Sequence, residues 1–230
     1  MDIKNIPIFC LLIFSACTVQ EKIVFRPDPG AREIQRETVV FTEILETMDG
    51  ASAENIPNWL NRFIRGGIHE IEYSGLYWDK YIFMGRNRGS NFTALGQWAE
   101  NYTVFQDFPR LAAIRIENRM ISAATLYPDD EYGEYFEALI KRASNTEFPG
   151  AVKEETYWIK TLLIPDNDEE TEEGAEPLEQ YEFFVLISIE KPILRNSISS
   201  LMADIETTAA PNRYQRASIN RVQQIFFEGF

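Results

Sequence analysis

Two long segments, "VKEETYWIKTLLI" (152–164) and "YEFFVLISIE" (181–190), constrain the fold more than any other part of the chain. Both have strand length and strand composition, rich in β-branched and aromatic residues. The stretch between them, "DNDEETEEGAEPLEQ" (166–180), carries eight acidic residues and no base. So dense a charge stays in water, which makes this stretch a long solvated loop and the flanking strands an antiparallel hairpin.

The remaining patterns arrange themselves around that hairpin. "IPNWLNRFIR" (56–65) places Ile56, Leu60, Phe63 and Ile64 on one side of a short helix that ends at Gly66-Gly67. "IHEIEYS" (68–74) and "KYIFMGR" (80–86) read as two further strands bridged by the aromatic turn "GLYWD" (75–79). Helical spacing follows over 92–126, with a kink or new start at Asp107 and Pro109. There Leu111, Ile114, Ile121 and Ala124 form one stripe, and Arg115 and Arg119 fall one turn apart on another face. A helix over 131–144, capped by Asp129 or Asp130, and helices over 194–207 and 213–227 complete the series, and Pro192 ends the strand before them. A short helix is expected over 39–47. Helices alternating with antiparallel strands define an α+β fold, an antiparallel sheet built from hairpins with helices packed largely on one face. A parallel doubly wound sheet fits badly, because hairpins outnumber crossovers.

The N-terminus carries a different signal. The apolar run Ile6–Ala16 spans about 16 Å as a helix, half of a hydrocarbon core of about 30 Å, so it is a signal-peptide h-region rather than a membrane span. Phe14-Ser15-Ala16-Cys17 resembles the bacterial lipobox, in which cleavage leaves an acylated cysteine first, although Phe14 stands where an aliphatic residue is usual. An ordinary secretory signal or a buried N-terminal strand are the alternatives. With a lipobox, residues 1–16 are a signal peptide, 17–54 a lipidated N-terminus with a tether and short helix, and 55–230 one globular domain. Acyl chains of the palmitate type on Cys17 contribute about 0.8 kcal/mol per buried methylene, an anchor stronger than any single chain. Thr18, in place of an aspartate, favours the outer over the inner membrane.

Composition narrows the chemistry. Cys10 and Cys17 are the two cysteines, so a chain beginning at Cys17 has no internal disulfide and no catalytic thiol. His69 is the one histidine, too few for a zinc site, and nothing resembles Gly-x-Ser-x-Gly. Asp166, Asp168 and Glu170 alternate as early calcium-loop ligands do, yet Thr171 stands where that loop needs glycine, so no metal or cofactor is expected. Twenty-two basic against 36 acidic residues give a net charge of −14, which repels phosphates and makes nucleic acid a poor partner.

Candidate binding residues gather around the second strand. Arg86 and Arg88 in "GRNRGSN" (85–91) could hold a phosphate or carboxylate, or simply belong to a strand-to-helix connection. Trp78 and Tyr81, within the aromatic set Tyr73, Tyr77, Trp78, Tyr81 and Phe83, could stack a ligand or pack a core. Glu70 and Glu72 share a strand face as a glycosidase couple would, or sit exposed on an edge.

Several short stretches carry a family resemblance: "PNW" (57–59), "YIFMG" (81–85), "RLAAIRI" (110–116), "YWIK" (157–160) and "YEFFVLISI" (181–189). Together they resemble the Lpp-twenty type of bacterial lipoprotein, over about 130 residues. The resemblance implies a lipid-anchored β-α-β-β-α domain of the cell envelope, non-enzymatic, with no catalytic residues to transfer. The helix at 131–144 and the acidic loop depart from that pattern. The sequence thus leads to an envelope lipoprotein held to membrane through lipid at Cys17, acting as a structural or interaction module on an envelope protein partner. The alternative is a ligand-binding lipoprotein that captures a small molecule or host component.

Overall fold

The computed structural model describes residues 43–50, 55–125, 133–163 and 178–230. In chain order the elements are β1 (Glu43–Thr47), α1 (Asn58–Gly66), α2 (Ile68–Glu72), β2 (Lys80–Gly89), α3 (Phe92–Asn101) and α4 (Phe108–Ala124). Then come α5 (Gly133–Ala143), β3 (Val152–Leu163), β4 (Leu178–Glu190), α6 (Lys191–Ala209) and α7 (Arg213–Glu228). The four strands form one antiparallel sheet in the order β1-β3-β4-β2, an α+β fold.

β4 lies inside the sheet and is covered on both faces, which explains why "FFVLISI" is almost continuously apolar. Phe183, Val185, Ile187 and Ile189 face a layer of five helices, α3 to α7, and join Tyr81, Phe83, Phe108, Phe136 and Phe226 in the larger core. Phe184 and Leu186 face the opposite way, against Ile82, Met84, Tyr157 and Ile159, under Trp59 and Leu60 of α1 and Ile71 of α2. At about 25 cal/mol per Å², each such fully buried large side chain stabilises the fold by roughly 1.5–3 kcal/mol.

Local chemistry fixes the helix ends. Asn91 caps α3, its side chain accepting from Ala94 N–H at 3.0 Å, and Asn212 with Gln215 forms a reciprocal capping box on α7. Asp107 and Pro109 mark a new start, as their sequence positions suggest, and Pro192 sits in the first turn of α6. The last carbonyls of α7 accept from arginines. Arg119 donates to Phe226 O at 3.1 Å and Ile225 O at 2.7 Å, and Arg195 donates to Phe227 O.

Three expectations are corrected. The stretch around 39–47 supplies a strand, β1, not a helix; its described part pairs with β3, so the sheet begins ahead of Asn55. "IHEIEYS" holds the helix α2: Ile68 and Ile71, three apart, turn toward the smaller core, and His69 stays exposed. Consequently β3–β4 is the one hairpin among the described strands. Five helices lie on one face and the short pair α1 and α2 on the other, so the helices are packed largely on one face, as expected. "GRNRG" continues β2 to Gly89 instead of leaving the sheet at Gly85. The lipobox, the tether, the Asp129 or Asp130 cap and the body of the acidic loop lie outside the described residues.

Gly85 is required by packing. A Cβ there would stand 2.8 Å from two ring carbons of Tyr102, whose buried ring is wedged edge-on against Trp98 at 5.2 Å. Gly85→Ala should therefore destabilise the fold by about 1–3 kcal/mol, measured as a lower urea midpoint. Gly89→Ala, where no atom lies within 4 Å of the added carbon, should leave the midpoint nearly unchanged.

Candidate functional site

Residues 73–79 join α2 to β2 in a tight turn at one end of the sheet. Its backbone is closed by bonds from Ser74 N–H to Ile71 O (2.9 Å), Tyr77 N–H to Ser74 O (3.0 Å) and Lys80 N–H to Tyr77 O (3.0 Å). Tyr77 turns inward and is buried, whereas Tyr73, Leu76 and Trp78 are 85%, 74% and 69% exposed. Lys191, the first residue of α6, fixes the far side of the turn. Its N–H donates to Asp79 O at 2.9 Å and its ammonium to Trp78 O at 2.6 Å.

The near side is fixed by a charge clamp. Glu72, at the end of α2, receives Arg115 of α4 in a bidentate pair, Nη1 to Oε1 at 2.6 Å and Nη2 to Oε2 at 3.2 Å. The same Oε1 accepts Ile82 N–H of β2 at 2.8 Å, and Arg115 Nη1 approaches Ile82 O at 3.3 Å. The guanidinium also lies 4.5 Å from the Tyr81 ring centre, 5.3 Å from Phe83 and 5.6 Å from Phe230. Helices on opposite faces of the sheet are thereby joined around its β2 edge.

Beneath the turn, on the α1–α2 face, lies a second polar group. A bulge in β3 between Lys153 and Glu155 turns Glu154 and Glu155 toward one side. Glu154 accepts from Lys80 Nζ at 2.8 Å and from the Ser188 hydroxyl, and Glu155 accepts from the Trp59 indole N–H at 2.6 Å. Burial pushes the Glu154 carboxyl up, but the bonds from Lys80 and Ser188 and the Lys80 charge outweigh it and hold it below the usual range. Burial and then the two carboxylates push the Tyr77 phenol up. The bond to Glu154 likewise raises the Lys80 ammonium.

The sequence-derived candidates do not converge. Tyr81 is buried in the larger core against Phe230, rings 5.0 Å apart, while Trp78 is exposed on the turn. Arg86 lies five residues from Tyr81 along β2, about 17 Å at strand rise, and on the opposite face. It is ion-paired with buried Glu182 of β4, and Arg88 next to it is exposed. Phe83 belongs to the core. Glu70 and Glu72, on a helix rather than a strand, do not share a face, and Glu72 is committed to Arg115. The sequence pattern gave no hint of Glu72 meeting Arg115, 43 residues away, though the position of Arg115 off the apolar stripe of α4 was its one available signal.

Among the described residues no group of three or more His, Cys, Asp or Glu is placed to hold a metal ion, and no helix is long and apolar enough to cross a membrane. Comparison with known protein families, with curated proteins and with solved structures gives no match to this chain.

The Glu154 group sets a pH dependence. A carboxyl held below its unfolded value near 4.5 contributes stability that is present above pH 4.5 and lost as pH falls through the lower folded value. Urea midpoints measured from pH 7 to pH 3 should fall on that acid limb, and Glu154→Gln should flatten the fall below pH 4.5. An unchanged limb in the variant would contradict the assignment.

Proposed function

We propose that the chain is a lipid-anchored module of a bacterial cell envelope, acting through contacts rather than catalysis. The observation that carries this reading is Phe14-Ser15-Ala16-Cys17 behind a short apolar run, the pattern of an acylated N-terminal cysteine. Acyl chains on Cys17 hold the chain at a membrane, the outer one by the rule that favours Thr18 over an aspartate, and its partner is another envelope protein. The arrangement of the α+β domain is consistent with such a role. Glu72, Glu154, Glu155 and Glu182 are engaged by Arg115, Lys80, Trp59 and Arg86, roles that hold elements together. Among the described residues, three large exposed apolar side chains, Tyr73, Leu76 and Trp78, gather on the turn at 73–79 and offer a contact surface.

A second reading, capture of a small ligand, is favoured by a groove of about 280 Å³ between α6 and α7. Met202, Glu206, Gln223 and Phe227 line it, and Gln223 there donates to Glu206 at 2.6 Å and to the Tyr135 hydroxyl at 2.8 Å. Those polar groups satisfy one another, so an occupant would have to displace existing bonds.

The test is Cys17→Ala. The wild-type chain should enter the detergent phase of a cloud-point separation with the mass excess of its acyl chains. The variant should remain as an unprocessed precursor without that excess. Equal acyl mass and equal partitioning in the two would overturn the reading.

A further inference from the structure

The turn at 73–79 is built to keep apolar side chains in water. Tyr73, Leu76 and Trp78 project from six consecutive positions, while the residue between the last two, Tyr77, points into the core. Burial of that tyrosine and the bonds from Lys191 hold the backbone, so the exposed side chains cannot collapse onto the sheet without breaking them. Leaving three large apolar groups exposed on a rigid tip has a standing cost, and it is offset only when something apolar receives them.

The composition of the tip points to the kind of surface. Trp and Tyr have an apolar ring and a polar edge and collect where hydrocarbon meets headgroups, and a single leucine adds depth without charge. Three such side chains exposed on one short turn, with no charged group among them, suit the interface of a bilayer. Charge decides which bilayer. Around the turn Asp79, Glu190, Glu154 and Glu155 outnumber Lys80 and Lys191, so the tip has no excess positive charge with which to seek anionic headgroups. The acidic segment 164–177 is attached at Leu163 and Leu178, which pair with each other at the far end of the sheet from Lys80 and Glu190. Its attachment points lie about 40 Å away along the strands. That is several times the Debye length of about 8 Å at physiological salt, so charge held near those attachment points is screened at the tip.

We propose that Tyr73, Leu76 and Trp78 form a membrane-contact tip that enters the headgroup region of a zwitterionic bilayer and orients the domain end-on to it. The inference rests on the anchored reading for its strength: three side chains bind weakly alone, and an acyl anchor raises their effective concentration at the surface. Glu43 starts β1 at the end of the sheet remote from the tip, and the 25 residues between Cys17 and Glu43 could extend about 80 Å, enough to run back to the same membrane.

The experiment uses the full chain purified from native membranes and reconstituted at high lipid concentration in vesicles of phosphatidylcholine carrying bromine on the upper acyl carbons. Four tryptophans are present, and Trp59 is buried while Trp98 and Trp158 are packed against the larger core, so quenching should fall on Trp78. The wild type should lose on the order of a quarter of its emission if the four tryptophans emit alike. Trp78→Phe should abolish that loss, and Tyr73→Ser with Leu76→Ser should reduce it at least about twofold with an unchanged circular dichroism spectrum. An unquenched wild-type chain overturns the inference whether or not it is acylated. So does equal quenching in Trp78→Phe, quenching that requires added phosphatidylglycerol, or shielding of Trp78 by a second copy in lipid-free buffer. Intact mass on the same sample reports the anchor separately: acylated but unquenched protein sinks the tip and spares the anchor, and quenched but unacylated protein does the reverse.

Discussion

Strand β2 ends the sheet on one side, and at Ile82 its outward N–H and C=O open into the seam between two helical layers. Buried there without partners, those groups would cost roughly 1–3 kcal/mol each. A neighbouring strand would satisfy them, but would also separate the layers. Glu72 and Arg115 serve instead: the carboxylate accepts Ile82 N–H, and the guanidinium sits against Ile82 O while pairing with the carboxylate. Two side chains thus close the edge and keep that segment of β2 from pairing with another chain.

The same pair organises what lies around it. Because Glu72 comes from α2 and Arg115 from α4, the pair ties the smaller helical cover on one face to the five-helix layer on the other. Arg115 also lies against Tyr81, Phe83 and Phe230, so its charge is held among aromatic faces rather than in water. Removing either partner would leave the other charged group partly buried without its counter-ion, at a cost of about 3–5 kcal/mol for a fully buried pair. Glu72 is also the residue at which α2 gives way to the exposed turn, so the edge closure and the position of that turn are one constraint.

How much of this could be read from the residues depended on whether the signal was local. β3, β4 and α3 to α7 announced themselves through periodicity, caps and prolines, and the antiparallel character of the sheet followed from the charge of the 166–180 segment. α2 did not, since "IHEIEYS" alternates from Ile71 to Tyr73 yet also places Ile68 and Ile71 one helical turn apart, and only packing against the sheet decides between them. β1 is five residues long with mixed burial and gains its strand form from β3, which no local pattern encodes. Trp78 was visible as a candidate but its exposure was not, because a neighbouring tyrosine of similar character is the one that packs inward. Arg86 looked like a free ligand group; its partner Glu182 is 96 residues distant and becomes adjacent only through the β2–β4 pairing.

The claim that a side chain stands in for a strand at this edge has a direct test in amide hydrogen exchange. The Ile82 N–H points away from β4, so its protection in the native chain should come from Glu72, whereas the flanking Tyr81 and Phe83 amides are protected by β4. In Glu72→Ala the Ile82 amide should exchange at least about tenfold faster, equivalent to about 1.4 kcal/mol, with the Phe83 amide little changed. Exchange at Ile82 that stays as slow as in the native chain would contradict the account.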